Sequence, residues 1–243
     1  MNDIIKSLFE RKSIRSYQNK DISEIDKQLI IDSALQAPTA GNQILYSILD
    51  VDDQEIKNKL AILCDNQPFI SSAPMVLIFV ADAERWTDSY KYAKADYRNP
   101  GYGDILLACI DATIAAQNTV VAAQSLSIGS CYIGDVLENK EKVVELLNLE
   151  KYQIPITMVV YGYATEQQIK REKPKRFNKR YIVHKNRFKK LTEMEIREMH
   201  EEVNTWEDYN FEEYIKAFCN RKYMSEFALK FGRSVREYFK KFE

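Results

Sequence analysis

The chain has 243 residues, which is enough to bury a substantial core as one large domain or as one domain with an appendage. Hydrophobic residues make up 45% of the sequence and charged residues 29%, as in ordinary soluble globular proteins. The formal net charge of -1 excludes an overall field that would attract nucleic acid or an anionic membrane.

The first predicted elements are two helices and a loop. DIIKSLFER, residues 3–11, and SEIDKQLIIDSALQA, residues 23–37, both carry apolar residues at helical spacing, and Ser23 is placed to cap the second helix. Pro38 and Gly41 in APTAGN then predict a loop, because neither residue suits a continuing helix.

Three strands and a long helix are predicted next. ILYSILDV, residues 44–51, is a candidate strand followed by a short helix through Leu63, and APMVLIFVAD contains an apolar strand that starts at Pro74. GDILLACIDATIAAQNTVVAAQSLSIG, residues 103–129, is apolar almost all round and predicts a central buried helix. IPITMVVYGYAT, residues 154–165, is a third buried strand.

Helical patterns dominate again from about Glu193. We therefore expect an α+β fold in which helices surround a small mixed or antiparallel sheet, with a helical C-terminal extension. The expected boundaries are 1–190 for the core and 191–243 for the extension, both within a single structural unit. The glycine-rich motifs of Rossmann and P-loop nucleotide sites do not occur in the sequence, so we do not expect those folds.

Few residues suit metal or hydrolase chemistry. The four cysteines form no C-x-x-C pair and only two histidines are present, which argues against a metal site, a dithiol centre or a catalytic triad. The N-terminus lacks the apolar run of a signal peptide, and no apolar stretch is expected to approach the ~20 residues of a membrane span. These features predict a soluble cytoplasmic protein with reduced thiols.

Two basic segments are candidate anion sites. RKSIRSY, Arg11 to Tyr17, gathers three cations and two serine hydroxyls, which suits an anion, although a charged helix end that faces water has the same pattern. The run Lys170–Lys190 holds eleven Lys and Arg residues and one acid, which suits nucleic acid, a small phosphate or a solvated connector.

Two loops suit a flat ligand. Small residues in QAPTAGNQ, Gln36 to Gln43, allow the backbone to approach a ring closely, and Ile133 and Gly134 in SIGSCYIGD can present a backbone edge to one. An ordinary helix-to-strand turn and a turn into a short strand are the alternatives. Together with the basic segments, these loops predict a planar ligand that bears a phosphate.

The motifs RKSIRSY, APTAGNQ, NQPFI, CYIGD, IPITMVVYGYAT and KPKRF occur in an order that resembles the FMN-dependent nitroreductase family, in particular its oxygen-insensitive NADPH nitroreductase and flavin reductase branch. The resemblance implies a homodimer with two FMN sites at the subunit interface. It also implies a ping-pong reaction in which NAD(P)H reduces flavin N5 and leaves before a nitroaromatic, quinone or flavin acceptor takes the electrons.

The resemblance also implies the cofactor contacts. Arg15 corresponds to a cation near flavin N1 and O2 that stabilises the reduced ring, and no protein acid or base is expected to be catalytic because the flavin carries the redox step. The implied FMN contacts are Arg11, Lys12, Ser13, Arg15, Pro38, Thr39, Ala40, Gly41, Asn42, Gln67, Tyr132, Ile133, Gly134, Lys173 and Arg176.

Some assignments stay open in the sequence. In KPKRF either Lys175 or Arg176 is aligned with the family's phosphate ligand, and the register of the following residues favours Arg176. The preference for NADPH or NADH is undecided, with Arg221, Arg233 and Arg236 as candidates for a 2′-phosphate. Two other function classes are a non-catalytic FMN-binding or storage protein and a nucleic-acid binder that uses the run Lys170–Lys190. We expect neither a nucleic acid nor a membrane as a partner.

Overall fold

The computed structural model describes residues 1–243, which form eleven helices and four strands. The strands are β1 Tyr46–Asp50, β2 Met75–Asp82, β3 Gly129–Ile133 and β4 Gln153–Gly162. The helices are α1 Asp3–Glu10, α2 Glu24–Leu35, α3 Gln54–Leu63, α4 Pro68–Ser71, α5 Glu84–Tyr92, α6 Tyr102–Ser125, α7 Lys140–Leu147, α8 Glu166–Lys170, α9 Glu193–Glu201, α10 Phe211–Lys222 and α11 Glu226–Phe239.

The four strands form one antiparallel sheet in the order β1-β2-β4-β3. All eight residues of β2 are buried, since successive side chains point to opposite faces and helices cover both faces. Leu77 and Phe79 pack on one side, whereas Val76 and Ile78 pack on the other. The expected α+β fold with helices around a small sheet is confirmed.

Helix α6 packs across one face of this sheet. A stripe that includes Ala112, Ala116 and Val120 is buried there, and the small alanine side chains let the helix approach the strands closely. The expectation of burial all round was wrong near the N-terminal end, where the side chains of Leu106 and Ile110 are 59% and 47% exposed. This end of the helix therefore has an exposed apolar side.

The expectation that no apolar stretch approaches the ~20 residues of a membrane span was wrong for α6. Its 24 residues are long and apolar enough to cross a membrane by length and composition alone. A core helix of a globular protein can be equally long and apolar, and the stripe of α6 that is buried against the sheet accounts for its composition in this way.

Local signals account for the first elements. The hydroxyl of Ser23 accepts a hydrogen bond from the Asp26 N–H and caps α2 as the sequence predicts. Strand β1 is shorter than its predicted range 44–51, because Ile44 has a left-handed backbone with φ 51° and interrupts the extended conformation. Strand β3 corresponds to the alternative reading of SIGSCYIGD as a turn into a short strand.

The chain divides into two compact units. One comprises Met1–Arg171 and Lys230–Glu243, and the other comprises Glu172–Leu229. The sequence placed its boundary at 190, and the packing of the C-terminal extension on a dimer stays a prediction. Within the second unit the rings of Phe177 and Phe211 lie 5.2 and 5.6 Å from the ring of His200.

Candidate functional site

The stretch RKSIRSY runs along the sheet immediately after α1. The Ile14 N–H donates to the carbonyl of Ser130 over 3.0 Å, and the Gln18 N–H donates to the carbonyl of Tyr163 over 2.8 Å. Residues 11–18 therefore connect the start of β3 with the segment that follows β4. This pairing holds the basic residues in an extended conformation with fixed directions for their side chains.

Two glycines leave room for this segment. A Cβ at Gly129 would lie 2.5 Å from Cγ1 of Ile14, and a Cβ at Gly162 would lie 2.5 Å from Cδ1 of Tyr17. Both distances are far below van der Waals contact, so any side chain at either glycine would displace the segment. The sequence analysis did not identify these glycines, since their function depends on contacts with distant residues.

Arg11 is half-buried and has one guanidinium nitrogen without a protein partner. Its Nη1 atom is buried and makes no hydrogen bond within the chain. Burial raises the pKa of the Tyr132 phenol to about 12, and the guanidinium of Arg11 opposes this rise, so the two side chains are neighbours. A buried guanidinium nitrogen without an acceptor is costly, and an anionic ligand would remove that cost.

Arg171 is a second cation at the same segment, and the sequence analysis missed it. Its Nη2 atom donates to the carbonyl of Ser13, and its Nε atom is buried without a hydrogen-bond partner. The residue lies in the basic run Lys170–Lys190, but the resemblance directed attention to Lys173 and Arg176. Only the folded structure shows which cation of this run contacts the RKSIRSY stretch.

Two other residues of this stretch have defined surroundings. The ammonium of Lys12 donates to the carbonyls of Ile169, over 2.7 Å, and Arg171, so most of its donor capacity is used within the chain. The side chain of Arg15 is exposed, while its backbone N–H donates to Oε1 of Gln168 over 3.3 Å. Arg15 is thus accessible to a ligand, and the predicted phosphate contact of Lys12 has competing partners.

The end of β3 offers an open backbone edge. The side chain of Ile133 is only 3% exposed and lies in the core, whereas an added Cβ at Gly134 would meet no atom within 4 Å. The amide of Gln67 donates to the carbonyl of Cys64 and to the carboxylate of Asp135, which follows Gly134 directly. Gln67 and the predicted strip 132–134 therefore lie close together, as a ring contact would require.

The loop that carries Thr39 is anchored separately. The Thr39 hydroxyl and the Ala40 N–H both donate to the buried carboxylate of Asp111 on α6. Gly41 and Asn42 follow with φ of 58° and 57°, and both are exposed together with Pro38. The hydroxyl of Thr39 holds the loop in place, and the exposed tip is the part that can contact a ligand.

The predicted phosphate cations of KPKRF lie in the second unit. Lys173 is half-buried, Arg176 is exposed, and Nζ of Lys175 donates to Oγ1 of Thr205 over 3.0 Å. Lys175 thus has a partner inside its own unit, whereas Arg176 has an exposed guanidinium. This difference favours Arg176 as the ligand in that segment.

Comparisons with known proteins agree with the sequence resemblance. Residues 8–163 match the model of the Nitroreductase family. The chain is 34% identical over 175 residues to FMN reductase (NAD(P)H) of Bacillus subtilis, with 70% of each chain covered. It is 28% identical over 229 residues to FMN reductase (NADPH) of the same organism, covering 91% of this chain and 87% of the relative.

The structure of B. megaterium NfrA2 superposes with a TM-score of 0.84 at 28% identity and covers 100% of both chains. The fold, the family model and the curated relatives therefore agree with the order of motifs in the sequence. The chain belongs to the nitroreductase family.

Proposed function

We propose that this protein is an FMN-dependent NAD(P)H oxidoreductase that reduces nitroaromatics, quinones or free flavins. The names of the two Bacillus subtilis relatives support this activity. Within this chain, the observation that carries the proposal is the buried Nη1 of Arg11, which has no acceptor and lies beside Tyr132. A phosphate oxygen is the acceptor that a guanidinium accommodates best.

The residues of the first unit fit FMN. Arg11, Ser13 and Arg171 would hold the phosphate and the ribityl chain, since both arginines have buried nitrogens without partners. The open edge at Gly134 would lie against the ring system, with Gln67 nearby. Arg176 stays the phosphate ligand that the resemblance implies in KPKRF.

Bound FMN would supply the two-electron redox chemistry, taking hydride from NADPH or NADH and delivering electrons to an acceptor in a ping-pong cycle. The part played by the chain is binding, orientation and electrostatic stabilisation. Arg15 would place positive charge at the pyrimidine edge of the ring, where negative charge accumulates on reduction. No side chain is required to transfer a proton.

The arginines proposed for a nucleotide 2′-phosphate differ in their surroundings. Arg233 pairs with Glu141 over 2.9 Å, and the guanidinium of Arg221 lies 5.5 Å from the ring centre of Phe218. Arg236 is exposed and makes no ion pair. Arg221 and Arg236 are therefore better candidates than Arg233, because a paired guanidinium is already neutralised.

A homodimer would cover apolar surface that the chain leaves exposed. In α1 the side chains of Ile4 and Phe9 are 64% and 69% exposed, and no residue of this helix is buried. The exposed side of α6 with Leu106 and Ile110 adds to this surface, and α1 and α6 contact each other. A contiguous apolar surface of this kind is typical of a protein interface.

The charges of the run Lys170–Lys190 do not favour nucleic acid. Arg180 pairs with Glu202 over 2.5 Å, and Lys189 pairs with Glu195 over 2.9 Å. Acidic residues of α9 and of the residue after it therefore neutralise part of the basic run, which lowers its attraction for a polyphosphate backbone. We place the protein in the cytoplasm, where its four cysteines would stay reduced.

The experiment is purification without added cofactor, followed by anaerobic addition of NADPH and, separately, NADH. The expected result is a yellow protein whose absorbance bleaches on addition of a nucleotide and returns with a quinone. A yellow protein that no nucleotide bleaches would indicate a non-catalytic FMN carrier. A colourless protein that binds no added FMN would overturn the proposal.

The contribution of Arg11 to FMN binding can be tested separately. The variant Arg11→Met should weaken FMN binding about tenfold to a hundredfold, because a charge-assisted hydrogen bond contributes about 1.5–3 kcal/mol. Arg187→Met, at an exposed arginine without an ion pair, is the matched control and should bind as the parent does. Equal FMN affinity in both variants would remove Arg11 from the site.

A further inference from the structure

Helix α5 and the segment after it surround a cavity with three aromatic rings. The cavity has a volume of about 440 Å³, within the range of ~300–1,000 Å³ that is usual for small-molecule sites. The ring centres of Trp86 and Tyr90 lie 5.8 Å apart, and those of Tyr90 and Tyr97 lie 6.0 Å apart. None of the predicted FMN contacts lines this cavity.

The aromatic rings present open faces to the cavity. Tyr90 and Tyr97 are 37% and 39% exposed, although both line a concave surface. The planes of neighbouring rings are tilted by 42° and 41°, so the rings do not cover one another's faces. A flat molecule would bury this aromatic surface and stack at the separations that aromatic pairs prefer.

The cavity also has hydrogen-bond donors without partners. The side-chain amide of Gln43 is half-buried and makes no hydrogen bond, while its backbone carbonyl accepts from Nε1 of Trp86 over 2.9 Å. The hydroxyls of Tyr90 and Tyr97 also lack partners within the chain. The Thr87 hydroxyl is used, since it donates to the carbonyl of Ala83 over 2.9 Å. The free donors suit a ligand with carbonyl oxygens.

The charges at the cavity disfavour an anion. The guanidinium of Arg98 is neutralised by Asp104, with two contacts of 2.6 and 3.0 Å between the two groups. Asp96 lines the cavity without an ion pair and contributes a negative charge. The cavity therefore disfavours an anionic ligand, because an anion would meet Asp96 without a free cation to balance it.

We propose that this cavity binds a planar aromatic molecule that bears no negative charge and carries ring carbonyl oxygens. The rings of Trp86, Tyr90 and Tyr97 stack on the molecule, and the amide of Gln43 donates to one of its oxygens. The site uses none of the residues proposed to hold FMN, so the failure of either proposal leaves the other intact.

The chain has only two tryptophans, so replacement of one lets fluorescence report on the other alone. In the variant Trp206→Phe, Trp86 is the only fluorescent indole and lies in the cavity wall. The probe is 2,3-dimethyl-1,4-naphthoquinone, whose methylated ring positions resist addition by cysteine thiols. The holoprotein is titrated without any nicotinamide nucleotide, so that no turnover occurs. The expected result is saturable quenching of the Trp86 emission.

Variants at the cavity and outside it distinguish binding of the probe in the cavity from collisional quenching of Trp86. In the Trp206→Phe background, Tyr97→Ala should raise the probe's Kd about threefold to tenfold, because one aromatic pair is lost. Ala95→Phe fills the cavity without removing a ring and should abolish saturation. Tyr92→Ala is the matched control, since Tyr92 lies on the same helix but is 77% exposed and does not line the cavity.

Near-ultraviolet circular dichroism verifies that each variant is folded. Quenching that rises linearly with probe concentration in the parent would overturn the proposal. A Kd that is the same in Ala95→Phe, Tyr97→Ala and the parent would also overturn it.

Discussion

The hydroxyl of Thr39 donates to the carboxylate of Asp111, which is 3% exposed. The same carboxylate accepts from the backbone N–H groups of Ala40, over 3.2 Å, and Leu45, over 3.4 Å. The Thr39 hydroxyl also accepts from the N–H of Ile44 over 2.8 Å. One buried acid on α6 therefore satisfies the backbone of a loop whose exposed tip belongs to the candidate site.

Loss of the Thr39 hydroxyl should loosen this loop. We expect Thr39→Val to lower the free energy of unfolding by about 1–3 kcal/mol, because the variant leaves the Ile44 N–H without a partner and removes one of the donors to the buried Asp111 carboxylate. Thr39→Ser keeps the hydroxyl and is the control. Urea denaturation measures both, and equal midpoints for the two variants would contradict the anchoring role.

A methyl group at Gly129 should displace the basic stretch. Gly129→Ala is expected to cost about 1–3 kcal/mol, as overpacking commonly does, because Cγ1 of Ile14 occupies the required space. In an Ile14→Ala background the same change should cost much less, and a double-mutant cycle measures this coupling. Gly103→Ala on α6, where an added Cβ meets nothing within 4 Å, is the matched control and should be neutral or stabilising. Additive costs at positions 14 and 129 would refute the contact.

The assignment of the phosphate cation in KPKRF predicts different FMN retention in two variants. Arg176→Ala should weaken FMN binding by about 1.5–3 kcal/mol, enough for the flavin to be lost on extensive dialysis. Lys175→Ala should retain its flavin, because the ammonium of Lys175 donates to Thr205. Absorbance after dialysis distinguishes the two, and the reverse result would assign the phosphate to Lys175.

Lys241 should make the stability of the protein depend on alkaline pH. Burial lowers the pKa of Lys241 from 10.5 to about 8, and the nearby ammonium of Lys140 adds to this effect. Below pH 8 the lysine is charged in both the native and the unfolded state, and burial of the charged ammonium destabilises the native state. Between pH 8 and 10.5 the unfolded state binds more protons, so this lysine's contribution to stability rises with pH.

The variant Lys241→Met removes that dependence. It should exceed the parent in unfolding free energy by about 1–2 kcal/mol at pH 7, after allowance for solvent screening, and the difference should shrink as the pH approaches 10. Lys240→Met, at an exposed neighbour, should follow the parent across this range. Urea denaturation at pH 7 and pH 9.5 measures both, and a constant difference would show that the Lys241 charge is not penalised.

A charge on the exposed side of α6 should prevent dimer formation. Leu106→Glu is expected to weaken self-association strongly, because the side chain would be buried against a second subunit as a charge. Ile62→Glu on α3, at a side chain that is 65% exposed against 59% for Leu106, is the matched control. Sedimentation equilibrium gives both association constants. Two variants that dimerise equally well would place the interface elsewhere.

The sequence was sufficient for elements with local signals. Ser23 caps α2, the apolar run after Pro74 forms β2, and the order of short motifs identified the family. These signals depend on neighbours within a few residues, or on a pattern that the whole family shares. The site residues that these motifs imply stay predictions.

Other features depend on distant contacts. An acid in the apolar α6 gives no sign that it holds the Thr39 loop, and Arg171 is one of many cations in its segment. The close approach of Gly129 to Ile14 follows from the sheet topology. Exposure of Leu106 could not be inferred either, because an apolar residue in an apolar helix has the same local pattern whether it faces the core or a second subunit.

The partners of the RKSIRSY stretch also determine when the protein can become functional during synthesis. The carbonyl of Ser13 is held by a guanidinium 158 positions further along the chain. Closing so long a loop carries a large entropic cost, and the β3–β4 ladder that receives the stretch must already exist. The RKSIRSY stretch is thus made early but cannot complete its contacts before Arg171 has been made, and a chain stopped before Arg171 would lack one of the proposed cofactor ligands.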